Sequence, residues 1–153
     1  FRELNTSGDP DNALVRTFRA LALYYTGQTD QAAELMQDVV AQHSNMHGIR
    51  PFLAMFLSAQ GKHELANQQL TERVKIAAAS DHDISYWLAS AYLLQGRQVL
   101  ALEWLEKAIK LGNENYRWFE SDPNWSDLHA DPRFQALMQG VKASLQKHEA
   151  NTA

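Results

Sequence analysis

The sequence predicts an all-α fold built from a repeated helical hairpin. Three observations carry that prediction. Gly27, Gly61 and Gly96 stand 34 and 35 residues apart. Ala32, Ala66 and Ala101 recur with the same two intervals. Around each pair, apolar residues return every three or four positions, the spacing of a helix that buries one side.

Taken in order, residues 1–12 read as the remnant of a preceding hairpin and its linker. Phe1-Arg2-Glu3-Leu4 would end that earlier second helix, and Asp9-Pro10-Asp11-Asn12 would connect it to the next. The chain does not start with Met, so it is expected to be a piece of a longer protein with further hairpins upstream. Residues 13–46 form the first full hairpin, with Ala20, Leu23, Gly27, Ala32, Met36 and Val39 in register. Residues 47–80 form the second, with Leu53, Ala54, Leu57, Gly61, Ala66, Leu70 and Val74. Residues 81–115 form the third, with Leu88, Ala89, Tyr92, Gly96, Ala101, Leu105, Ala108 and Ile109. In each, a small residue lets two helices approach, a glycine ends the first helix in a left-handed conformation, and a larger residue fills the gap between helices.

Residues 116–153 leave the repeat. Tyr116-Arg117-Trp118-Phe119 belongs to a short helix, and Asp122-Pro123-Asn124-Trp125 is a break, since proline lacks a donor and restrains its predecessor. Asp131-Pro132 is a helix start, with Asp as N-cap and Pro at the first position. The helix it opens is expected to reach about Lys147. Trp118, Phe119, Trp125, Leu128, Phe134 and Leu137 would cover the last apolar face, which a repeat array requires of its terminal segment.

The glycine, the Ala-x-x-x-large pair and the period together resemble the tetratricopeptide repeat family over residues 13–115. The sequence departs from the family pattern in places. Arg19 stands where repeat one should carry Leu; Arg16, Arg50 and Ser85 replace the family's Trp; and the closing Pro is missing from repeats two and three. The resemblance implies hairpins stacked in a right-handed superhelix, with a capping helix at the C-terminal end. The cap phrase, Trp118 to Pro123 followed by Asp131 to Phe134, is similar to the ends of repeat domains in bacterial signalling proteins.

Composition narrows the function classes. The chain is 45% hydrophobic and 21% charged, with a net charge of -4, which suits a globular domain rather than a disordered one. No run of Lys and Arg marks a nucleic-acid interface. No apolar run is long enough to insert in a membrane. Without cysteine there is no disulfide, thiolate nucleophile or zinc-thiolate site. No metal or cofactor is expected. His43 and His47 are four apart but straddle the break between hairpins, and His63-Glu64 lacks a second His. Glu34, Glu64, Glu72, Glu103 and Glu106 fall on outer faces. No phosphate-cradling loop or nucleophile elbow occurs, so no catalytic residue is assigned.

A second apolar stripe runs along the first helix of each hairpin. It comprises Leu14, Thr17, Phe18, Leu21 and Tyr25 in the first, Phe52, Met55 and Ala59 in the second, and Tyr86, Trp87, Ser90 and Leu94 in the third. Phe18, Phe52 and Trp87 sit toward its edge, and sequence leaves open whether they face a partner or a neighbouring hairpin. The family resemblance implies that this side lines a concave groove. Family members that hold a terminal carboxylate do so with Lys and Asn, whereas the equivalent faces here carry Thr17, Leu21, Pro51, Met55, Tyr86 and Ser90. The expected ligand is therefore an apolar or aromatic peptide or helix.

The expected function is a non-catalytic protein–protein interaction scaffold. Two alternatives stand beside it: a regulatory or sensor appendage of a bacterial signalling enzyme or transcription regulator, and a repeat domain that self-associates through its N-terminal edge. The expected compartment is the cytoplasm, or the periplasm where the parent protein is exported or membrane-anchored.

Overall fold

The computed structural model describes residues 12–152, all helix and turn with no strand among them. The proposed remnant of an earlier hairpin, and the self-association edge placed on it, lie outside the described residues. The chain divides into two compact units, Phe1–Ala77 and Ala78–Ala153.

The first unit holds α1 (Ala13–Tyr25), α2 (Thr29–Gln42), α3 (Arg50–Ala59) and α4 (His63–Gln69). α5 (Glu72–Ala78) closes it. α1 packs on α2, α2 on α3, and α3 on α4. Asn12 starts α1 by accepting from the Leu14 and Val15 amides at 2.9 and 3.3 Å, which satisfies donors a helix N-terminus leaves open. The core is made by the repeat positions themselves: Ala20, Ala32, Met36, Val39, Ala54, Ala66 and Val74 have no accessible surface. Alanine at the crossing points brings backbones close, and Met36 fills the space that remains.

The second unit holds α6 (His82–Leu94), α7 (Gln98–Lys110), α8 (Tyr116–Ser121), a 3-10 helix (Pro123–Leu128) and α9 (Pro132–Thr152). α6 pairs with α7, and α9 packs against α7 and α8. Asp81 caps α6 through the Asp83 and Ile84 amides. Asp131 caps α9 through the Arg133 and Phe134 amides at 2.9 and 3.0 Å.

The hairpin turns are chemically alike. The amides of Gln28, Lys62 and Arg97 donate to the carbonyls of Leu23, Leu57 and Tyr92 at 2.8, 2.9 and 3.0 Å. That six-to-one bond closes a helix end only when the residue before the donor is left-handed. Gly27, Gly61 and Gly96 hold that place, with φ of 86°, 78° and 80°.

The positions where the family carries Trp are filled by polar groups that find partners. The Arg16 guanidinium donates to Gln42 at 2.7 Å and pairs with Asp38 on α2. Arg50 donates to Gln69 at 3.0 Å and to the Ser44 carbonyl at 3.2 Å. The Ser85 hydroxyl donates to the Ala78 carbonyl. An aromatic body that would fill the hairpin is thus exchanged for hydrogen bonds between its helices or to the turn before it.

Three expectations need correction. The second helix of hairpin two is not continuous: α4 ends at Gln69 and α5 starts at Glu72. Thr71 Oγ1 accepts from the Val74 amide at 3.4 Å, a local bond by which Thr competes with the helical ladder. Leu70 and Val74 stay buried across the break. The break expected at Asp122–Trp125 is filled by a 3-10 helix, Pro123–Leu128, because Pro needs no amide partner at a first position and Asp122 caps the Asn124 amide. The final helix continues past Lys147 to Thr152.

Candidate functional site

Among the described residues, no group of three or more His, Asp or Glu could hold a metal ion. No helix there is long and apolar enough to cross a membrane. Three buried hydroxyls are engaged with the backbone. The hydroxyls of Thr17, Ser58 and Ser90 each donate to the carbonyl four residues back, at 2.7, 2.7 and 3.1 Å. A hydroxyl folded onto its own helix is satisfied without solvent or a partner. Arg117 is exposed, and a side-chain hydrogen bond with Tyr116 raises it above the usual guanidinium range. It stays charged at any working pH and supplies no acid–base step.

The second apolar stripe divides into covered and open residues. Met55 is 0% exposed, Tyr86 2%, and Thr17, Pro51 and Ser90 are also buried. These were expected to face a partner. The chain itself covers them, so they offer no surface in this conformation.

For α6 the covering groups are identifiable. The Tyr86 hydroxyl donates to Asp122 Oδ2, and its ring stacks on Phe119 with centroids 5.2 Å apart. Trp125 lies 6.3 Å from the same ring and stacks in turn on Phe134 at 5.9 Å. Asp122 has no accessible surface, and its other oxygen caps the 3-10 helix. The C-terminal segment of the second unit therefore lies on the side of α6 assigned to a ligand. The sequence signal for this is its Asp-Pro and paired aromatics, which mark a cap but do not name Tyr86 as the residue it covers.

The open residues are in both units. Phe18 on α1 is 61% exposed, and Leu14, Leu21 and Tyr25 on the same helix are half-buried. The four follow at steps of four, three and four residues and share one face of α1. On α3, Phe52 is half-buried and Ala59 exposed. In the second unit, Trp87 packs edge-on against Tyr86 at 5.1 Å, and Trp87 and Leu94 are half-buried.

Glu34, Glu64, Glu72 and Glu103 are exposed as expected, while Glu106 is half-buried between Lys110 and Arg133 at 3.5 and 3.3 Å. His43 ends α2 and His47 begins a 3-10 turn, so their spacing of four is not helical.

No curated protein and no solved structure matches the chain. Residues 53–116 match the family model described as Tetratricopeptide repeat. That stretch runs from the middle of α3 through both helices of the third hairpin, with the turn glycines Gly61 and Gly96 inside it. Repeats of this kind are generally protein-interaction scaffolds, and the chain carries such a repeat over residues 53–116.

Proposed function

We propose that the chain holds a protein partner by an apolar segment, an amphipathic helix or an extended hydrophobic peptide, laid along α1. The observation that carries this reading is Phe18, 61% exposed on the helix face it shares with Leu14, Leu21 and Tyr25. The part of a phenylalanine left in water contributes nothing to folding. Covering its exposed portion in a complex recovers on the order of 1–2 kcal/mol. Aromatic anchors flanked by half-buried aliphatic residues are what a partner's apolar face engages. Phe52 and Ala59 on α3 supply further accessible apolar surface in the same unit.

The test compares two surface variants of the same unit in affinity capture from the source cell. Phe18→Glu removes the anchor. Ile76→Glu alters another exposed apolar residue, 70% accessible on α5 and away from the stripe. The reading expects a retained protein to be lost with Phe18→Glu and kept with Ile76→Glu, both variants melting like the parent. Retention by Phe18→Glu would refute it. Mass measured against concentration identifies the case in which the retained partner is a second copy of the chain.

A further inference from the structure

The sequence has no run of Lys and Arg, yet the fold gathers two guanidiniums and an imidazole from separate stretches. Arg50 at the start of α3, Arg73 in the first turn of α5 and His47 in the 3-10 turn line one open depression of about 450 Å³, completed by Thr71 and Glu72. All five belong to the first unit.

The charges in this depression are not neutralised. Arg50 donates to the Gln69 side chain and the Ser44 carbonyl, both neutral acceptors. Arg73 makes no ion pair or hydrogen bond among the described residues. Glu72, the one carboxylate in the lining, is paired with Lys75 at 3.3 Å. His47 Nδ1 is buried and finds no partner among the described residues. In a chain with 18 acidic and 14 basic residues, a cavity with two guanidiniums that no carboxylate pairs is unlike the average surface. Guanidinium groups with a neighbouring imidazole are a donor set for carboxylate oxygens.

We infer that this depression is an anion subsite that takes the carboxylate side chains of an acidic peptide segment in a protein partner. The inference rests on the partner-binding reading above, but it uses different residues. Arg50 is fixed by its two neutral acceptors and presents its remaining donors in a set orientation, and the exposed Arg73 closes on the ligand from α5. An acidic stretch next to the apolar segment of the same partner would make the two contacts cooperate through effective concentration.

The experiment titrates the whole chain with a blocked tetrapeptide of alternating Asp and Glu. It follows the His47 ring and the arginine side-chain Nε–H signals by NMR. The expected result is a saturable shift at His47, Arg50 and Arg73, weakened at least tenfold in Arg73→Glu and in 0.5 M salt. Arg73 is exposed and unpaired, so its replacement leaves the fold intact, and the amide spectrum checks this. Inorganic phosphate is the second arm: saturation at lower concentration than the peptide would assign the site to a free anion and overturn the peptide reading. Absence of a saturable shift, or equal binding by Arg73→Glu, also overturns it. Phe18→Glu should bind the tetrapeptide like the parent, so failure of the α1 reading and failure of this one give different results.

Discussion

α1 and α6 occupy the same place in their hairpins, yet the faces they turn away from their partner helices differ. On α6, Tyr86 is covered by Phe119, Trp125 and Asp122, and its hydroxyl is bonded. On α1, Phe18 stands in solvent. The helical period places both residues on a second apolar stripe and cannot separate them. What separates them is a segment far along the chain that folds back onto one helix within its own unit. A second stripe is therefore a surface in search of cover, and cover from the same chain removes it from the candidates for a partner.

The largest effect should come from removing that cover. Trp125→Ala empties a fully buried site between Tyr86 and Phe134, and is expected to cost about 3–5 kcal/mol in urea unfolding. A smaller loss would mean that the cap is dispensable and that α6 is closer to α1 than its burial suggests. Asp122→Ala strips a cap from the 3-10 helix and an acceptor from the Tyr86 hydroxyl. Its expected cost is about 2–3 kcal/mol, with Asp122→Asn recovering part of it. Gly96→Ala probes the turn that follows α6. Nothing lies within 4 Å of the added methyl, so the cost is backbone strain alone, about 1 kcal/mol, read as a lowered melting temperature. Gly27→Ala after α1 should match it, because the two turns are bonded alike. Phe18→Glu comes last. It should change stability by no more than about 0.5 kcal/mol while abolishing partner capture. A large stability loss would show that α1 is covered after all.

The hairpins were legible because each repeat position has a local cause. The glycine supplies a left-handed end, the alanine a close crossing, and the large residue four on a plug. The caps at Asp131 and the cover from Phe119, Trp125, Leu128 and Phe134 were legible for the same reason. The break at Leu70 and Thr71 was not, because the apolar spacing through Ala66, Leu70 and Val74 stays in phase across it. Nor was the burial of Met55, Tyr86 and Ser90, which depends on contacts remote in sequence. Arg50 and Arg73 could not be read as neighbours either, since they stand 23 positions apart on helices that α4 separates in the chain.

The break also has a consequence for how the first unit comes apart. α4 and α5 are seven residues each, below the length at which a helix persists unaided. Both are held by what they bury, so this stretch should open before the unit as a whole unfolds. Arg73 sits exposed just past the break, which makes the bond after it the expected first cut in limited tryptic digestion; the bond after Arg50 leads into Pro51 and is no tryptic site. Nicking there would leave α1 to α4 on one fragment and the third hairpin on the other.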